Sequence, residues 1–191
     1  EAEIEYNENH TSPSVFVKFP FTTQPPVESL KEQNASLVIW TTTPWTIPAN
    51  LGVTVHPDFE YVVYRAGGET CVLAKDLLET FQEETGLKGG EVLETFRGAL
   101  LDRQKCSHPL MEKESLVMLG EHVTLEQGTG CVHTAPGHGV EDFQIGEEYG
   151  LDPFNPVDER GCFTAGYPDM EGKNVFDANE LIVEKLKNDG Y

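Results

Sequence analysis

Gly128-Thr129-Gly130-Cys131-Val132-His133-Thr134-Ala135-Pro136-Gly137-His138-Gly139-Val140-Glu141-Asp142-Phe143 holds two imidazoles, two carboxylates, three hydroxyl or thiol groups and four glycines in sixteen residues. Glycine at that density lets backbone approach a neighbour or a ligand closely, and an apolar core has no use for the polar groups. The run opens as a strand, Gly130 to His133, and then becomes glycine-rich. Beyond Gly139 the spacing of Val140 and Phe143 predicts a helix with Glu141 and Asp142 in its first turn. Carboxylates are stabilised there by the helix dipole, which is enough to explain Glu141 as a surface helix start.

A second polar cluster lies upstream, Trp40-Thr41-Thr42-Thr43-Pro44-Trp45-Thr46-Ile47-Pro48-Ala49-Asn50, and the simplest reading is that the two segments meet in one pocket. Pro44 disfavours helix at Thr43, and Pro48 does so at Ile47, so the chain should leave its strand extended and then turn. Thr41 and Thr43 would point one way and Thr42 the other. Hydroxyls donate and accept but hardly ionise, so they suit holding a ribose, an ester carbonyl or a water rather than acting as a base. Threonine is also simply a good strand residue, and Trp40 and Trp45 read as packing residues.

Around these segments, Val15 to Phe19, Leu37 to Thr41, Leu51 to Val55, Tyr61 to Tyr64 and Thr70 to Ala74 are short, β-branched or aromatic runs between turn residues, and read as strands. Gly67-Gly68 joins the last two as a hairpin. Further strands are expected at Glu91 to Phe96 and Leu116 to Leu119. Asp76 to Thr85, closed by Gly86, reads as a short helix with Leu77, Leu78 and Phe81 on one side. The C-terminal helix is expected to start at Asp177, with Glu180 three residues on as a capping box, and to bury Ala178, Leu181, Ile182 and Leu186 before Gly190 ends it. Many strands with a few helices give an α+β class built on a barrel-like or strongly bent sheet.

A chain of 191 residues suits one domain. It starts without Met and stops where a helix is being capped, so it reads as a piece of a longer protein. Thirteen basic against thirty-three acidic residues give a formal charge of −20, which repels a polyanion at long range. No signal-peptide pattern and no run of membrane-spanning length is present. Cys71, Cys106, Cys131 and Cys162 are scattered without a C-x-x-C pair, so reduced and mostly buried thiols are expected. The sequons at Asn9 and Asn34 read as coincidence.

The two polar segments together resemble the editing domain of class I aminoacyl-tRNA synthetases, the insertion through which isoleucyl, valyl and leucyl enzymes hydrolyse wrongly attached amino acids. Trp40-Thr41-Thr42-Thr43-Pro44-Trp45-Thr46 with Pro48-Ala49-Asn50 is the isoleucyl form; valyl and leucyl relatives typically carry Thr-Thr-Arg-Pro and an acidic residue after the proline. The resemblance runs from about Ser36 to the C-terminus and implies that residues 1–191 are a single editing domain excised from a larger synthetase, β-rich and barrel-like with a few peripheral helices. It implies that Thr42, Thr43 and Asp142 carry the catalysis, with Asp142 also binding the α-ammonium of the aminoacyl group. It places Thr41, Thr46, Asn50, Gly137 and His138 in substrate binding, and makes His133 part of a wall that admits valine and excludes isoleucine. The implied reaction is hydrolysis of valine from an isoleucine tRNA, and of valyl-adenylate, by a positioned water helped by the substrate's ribose hydroxyl. No cofactor and no metal is implied. The implied partners are the 3′ end of that tRNA and the remainder of the parent synthetase, in the cytoplasm and away from membranes.

Other readings of the same residues stand beside this one. His133, His138 and Asp142 could form a metal-dependent hydrolase site, although mononuclear zinc hydrolases usually space their ligands more tightly. A serine or cysteine nucleophile is weaker, since no Ser stands in a nucleophile elbow and Cys131 sits in an apolar strand that should raise its pKa. A valyl-type editing domain is the rival of the same fold, disfavoured by Pro44-Trp45, and a non-catalytic amino-acid-binding module is the alternative outside the enzymes.

Overall fold

The computed structural model describes residues 13–31 and 34–191, so the sequon at Asn9 lies outside the described residues. Nine strands are present there: β1 Val15–Pro20, β2 Ala35–Thr41, β3 Gly52–Val55, β4 Glu60–Ala66, β5 Glu69–Ala74, β6 Glu91–Arg97, β7 Lys105–Ser107, β8 Glu114–Leu119 and β9 Cys131–Thr134. Three α-helices accompany them, α1 Leu78–Thr85, α2 Val140–Tyr149 and α3 Val175–Asp189. Every strand expected from β-branched runs is found. The short β7 carries no such run, and its pairing with β8 is what makes it a strand.

The strands form two sheets, one in the order β1-β2-β5-β4-β6 and the other β7-β8-β3-β9. The α+β class is met, but among the described residues neither sheet closes on itself, so two open sheets stand where one barrel-like sheet was expected. A single bridge, Phe21 with Cys106, stitches the end of β1 to β7. Pairing is antiparallel except for β2 with β5 and β3 with β8.

Alternation along the strands sets the layers. In β2 Leu37 and Ile39 face the main core while Val38 faces a smaller cluster with Val62, Tyr64, Leu73 and Phe81. Phe81 brings α1 onto that outer face, and Gly86 ends the helix in the left-handed region at φ 74°. Gly67 and Gly68, both at positive φ, make the β4–β5 turn. The main core lies between the sheets and α3, which contributes Val175, Ala178, Ile182 and Leu186.

The start of α3 differs from the expected one. Asn174 is the cap, its side chain accepting from the Phe176 amide, so the helix begins a turn early and Asp177 falls inside its first turn. The earlier start adds Val175 to the core beside Ala178, Ile182 and Leu186, while Leu181 lies at the flank of that face, 38% exposed. Among the described residues, no helix is long and apolar enough to cross a membrane.

Candidate functional site

The two polar segments meet, as their composition suggested. Strand β2 ends at Thr41, and after a bend at Thr42 the chain winds into a 3-10 helix, Pro44–Ala49. Thr43 precedes it at φ −129° and ψ 65°, outside the helical region, as a residue before proline should be. Ile47 breaks the same rule, because it is held in the 3-10 helix ahead of Pro48. From the other segment, β9 runs antiparallel to β3 and places His133 beside Val53, and the glycine-rich loop then leads to α2.

A chain of hydrogen bonds with defined direction joins the segments. The Asn50 amide nitrogen donates to the Gly52 carbonyl and to Nδ1 of His133, both at 2.7 Å, while its oxygen accepts from Ser115 Oγ at 2.6 Å. A carbonyl can only accept, so Gly52 fixes the amide orientation, and His133 Nδ1 must be the unprotonated nitrogen. Nε2 therefore carries the hydrogen and donates to Thr46 Oγ1 at 3.0 Å, and that hydroxyl donates onward to the Thr43 carbonyl at 2.8 Å. Burial pushes the His133 pKa down to about 4, with nearby His138 and Lys113 acting in the same direction. The ring is neutral, has both nitrogens occupied, and presents its remaining edge without a charge.

This network reassigns several of the expected ligand contacts. Asn50 is fully buried and its amide is used within the protein, on Gly52, His133 and Ser115. Thr46 spends its hydroxyl as donor and acceptor within the protein. Thr41 is buried and its oxygen accepts from the Thr43 amide at 3.0 Å, which shapes the turn. The hydroxyls of Thr42, which is exposed, and Thr43, which is half-buried, have no hydrogen-bond partner among the described residues. Trp45 packs against the core, and its amide donates to Asn179 Oδ1 of α3 at 3.0 Å.

Asp142 is half-buried in the first turn of α2 and folds back over Gly139, whose position a side chain would crowd. Its Oδ2 accepts from the Ala135 amide at 2.8 Å, and no hydrogen bond is made by Oδ1 among the described residues. Burial raises the Asp142 pKa, and the Ala135 amide and the nearby His122 oppose the rise. Glu141 beside it is exposed. His138 sets its ring edge-on to Trp45 with centroids 5.2 Å apart, and its Nε2 is buried without a partner among the described residues. Burial lowers its pKa and Asp142 raises it. Gly137 is glycine because a Cβ would stand 2.5 Å from the Phe154 carbonyl, a matter of packing against the following loop.

Among the described residues, no three His, Cys, Asp or Glu side chains come together as a metal-binding group, and both nitrogens of His133 are engaged elsewhere. Burial holds the Cys131 thiol well above its ordinary pKa, as expected for an inert thiol. Cys71, Cys106 and Cys131 are buried and unpaired, while Cys162 is half-buried. His122 was not singled out from sequence. It lines both a cleft of ≈ 270 Å³ that includes Trp40 and Gly128 and a cleft of ≈ 470 Å³ that includes Glu141 and Glu148.

No family model matches the chain. It is 49% identical over 187 residues to an isoleucine–tRNA ligase of Syntrophomonas wolfei and 50% identical over 192 residues to that of Geobacter sulfurreducens, covering 98% and 100% of this chain. The matches take in 20% and 21% of those proteins, so the chain spans about a fifth of their length. Among solved structures it is similar to the one described as "GlLeuRS-CP1", with a TM-score of 0.73 and 15% identity over 93% of this chain and 96% of that one. The P. knowlesi cytosolic leucyl-tRNA synthetase editing domain gives a TM-score of 0.69 at 12% identity over 92% and 94% of the two chains. The fold is that of a synthetase editing domain, and by sequence the chain belongs with the isoleucine–tRNA ligases, as one segment of about a fifth of their length.

Proposed function

We propose that this segment is a hydrolytic editing site that removes valine from isoleucine tRNA, and acts on valyl-adenylate as well. The observation that carries the reading is the pairing state of Asp142, a half-buried carboxylate with one oxygen held by the Ala135 amide and the other without a hydrogen-bond partner among the described residues. An ionised carboxylate in that state costs desolvation energy, which a ligand ammonium offsets by a charge-assisted hydrogen bond. Thr42 and Thr43 offer unbonded hydroxyls to the ester, and the neutral His133 ring limits the side chain that fits.

The reaction follows from these parts. With Asp142 fixing the ammonium and the threonine hydroxyls the ester, a positioned water attacks the carbonyl carbon, the ester C–O bond breaks, and the proton passes to the departing ribose oxygen with help from the neighbouring ribose hydroxyl. Positioning of this kind supplies a large share of a rate without a protein nucleophile. His133 is not the base, because its Nδ1 is occupied by Asn50. The need for such a site is physical. A single methylene separates ligands by only about 1–3 kcal/mol, the isoleucine and valine pair of isoleucyl enzymes being the standing example of that limit.

With a charge of −20 this segment does not attract tRNA by itself, so the rest of the synthetase delivers the 3′ end, in the cytoplasm where charged tRNA is made. The test is deacylation of valyl-tRNA by a synthetase carrying this sequence. Asp142→Ala abolishes it while the protein still folds, the stranded Ala135 amide costing about 1–3 kcal/mol, and Glu141→Ala leaves it within about threefold, as a surface residue should. Near-normal deacylation by Asp142→Ala would overturn the assignment.

A further inference from the structure

His108 follows β7 at the start of the hairpin to β8, and it is 2% exposed. Its backbone amide donates to the Lys113 carbonyl at 3.0 Å, closing the hairpin, and its ring packs edge-on to Phe19. Nδ1 accepts from the amides of Leu110 and Met111 at 3.0 and 3.1 Å. Two donors on one nitrogen leave it unprotonated, so Nε2 carries the hydrogen and donates to the Ile47 carbonyl at 3.0 Å. The hairpin thus reaches across 61 residues to the last turn of the 3-10 helix. Lys113, its ammonium stacked over the Phe154 ring at 4.7 Å, reaches the next carbonyl, Pro48, at 3.3 Å.

The 3-10 helix needs outside support. Pro44 and Pro48 remove two backbone donors from six residues, and Ile47 sits in a helical turn that a following proline disfavours. Asn179 holds the beginning of the helix through the Trp45 amide, and His108 holds its end. Between these two tethers stands Thr46, which receives the His133 hydrogen and returns its own to Thr43. We propose that His108 is a positioning residue of this site: its Nε2–H to the Ile47 carbonyl sets where the 3-10 helix lies and, through Thr46, where the His133 ring and the Thr43 hydroxyl stand. The activity arm of this proposal rests on the editing reading above, and the spectroscopic arm does not.

Two substitutions separate positioning from packing. In His108→Gln the amide nitrogen falls near Nε2 and keeps a donor for Ile47. In His108→Asn the side chain reaches only the Nδ1 position, so the Leu110 and Met111 contacts survive and the donor is lost. Both lower the melting temperature. His108→Asn is expected to shift the His133 Nε2 ¹⁵N and attached-proton signals as the bond to Thr46 changes, the Nε2–H tautomer itself being held by Asn50, and to lower kcat for valyl-tRNA roughly tenfold to a hundredfold with little change in KM, as a small misplacement of reacting groups does. His108→Gln is expected to keep the wild-type His133 spectrum and restore most of kcat. Equal spectra and equal kcat for the two variants overturn the proposal in favour of simple packing, as does an unchanged kcat in His108→Asn. If wild type does not deacylate valyl-tRNA the editing reading falls, and the His133 spectra still decide on His108. Should a variant not fold, the wild-type protein answers alone, since coupling across the hydrogen bond between His108 Nε2 and the Ile47 carbonyl carbon must be present, and its absence refutes the tether.

Discussion

Replacing Asn50 with leucine tests the hydrogen-bond network where its energetic weight is greatest. The side chains are of similar size, so no large cavity forms and the effect is almost wholly polar. Asn50 is fully buried and serves three groups, the Gly52 carbonyl, His133 Nδ1 and the Ser115 hydroxyl. Leucine strands all three, and a buried polar group left without a partner costs about 1–3 kcal/mol. Ser115 can rotate its hydroxyl toward a neighbour and leucine adds apolar burial, so a total of about 3–5 kcal/mol is expected rather than the full sum. Against a domain stability of about 5–15 kcal/mol that is a large fraction. At this chain length it lowers the melting temperature by roughly 6–20 °C. The assay is urea and thermal unfolding of wild type, Asn50→Leu and Ser115→Ala, the last losing one bond and about 1 kcal/mol. A loss below about 1 kcal/mol for Asn50→Leu would mean that the three bonds do not form as described.

Two further outcomes follow from the same geometry. On the proposed reading, in which His133 is the wall, trimming it to alanine gains deacylation of isoleucyl-tRNA while valyl activity is kept; an active variant with unchanged preference would take His133 out of the sieve. The pKa values of His133 and His108 are depressed to about 4 and about 3, so the unfolded chain takes up protons that the folded one refuses. The stability they carry is complete above about pH 6.5 and is lost as pH falls toward 4. Urea midpoints across that window should fall less steeply in His108→Gln than in wild type, and equal slopes would contradict a neutral buried His108.

What could be read from the sequence was local. Short β-branched or aromatic runs located β1 to β6, and Gly86 and Gly190, read as helix ends, lie in the left-handed region. The helix after Gly139 was visible from Val140 and Phe143, and with it the place of Asp142. The tethers were not visible. His108 is one histidine in a polar stretch with no periodic neighbour, and its partner lies 61 residues away. Ser115 meets Asn50 across 65 residues because β8 lies parallel to β3, a pairing no turn signal encodes. In the threonine-rich segment, sequence gives the presence of a hydroxyl and not whether the fold has already used it, as it has for Thr41 and Thr46. At α3 both Asn174 and Asp177 can cap, and only packing of Val175 against the core decides for Asn174.

The polar core beneath the site is best understood as a device for holding an uncharged imidazole still. A wall that separates side chains differing by one methylene must not yield by the width of that methylene, and a histidine held by one nitrogen can still swing about the other. Here Asn50 takes one nitrogen and Thr46 the other, and each is in turn fixed, Asn50 by Gly52 and Ser115, Thr46 by Thr43. Every hydrogen in the chain has one direction, so the ring has one tautomer and one orientation. The same arrangement keeps charge out of the wall, because protonating Nδ1 would set two donors face to face at 2.7 Å. An ionised His133 would compete for Asp142 and repel the ligand's ammonium. Neutrality and rigidity therefore have a common origin in the buried amide of Asn50.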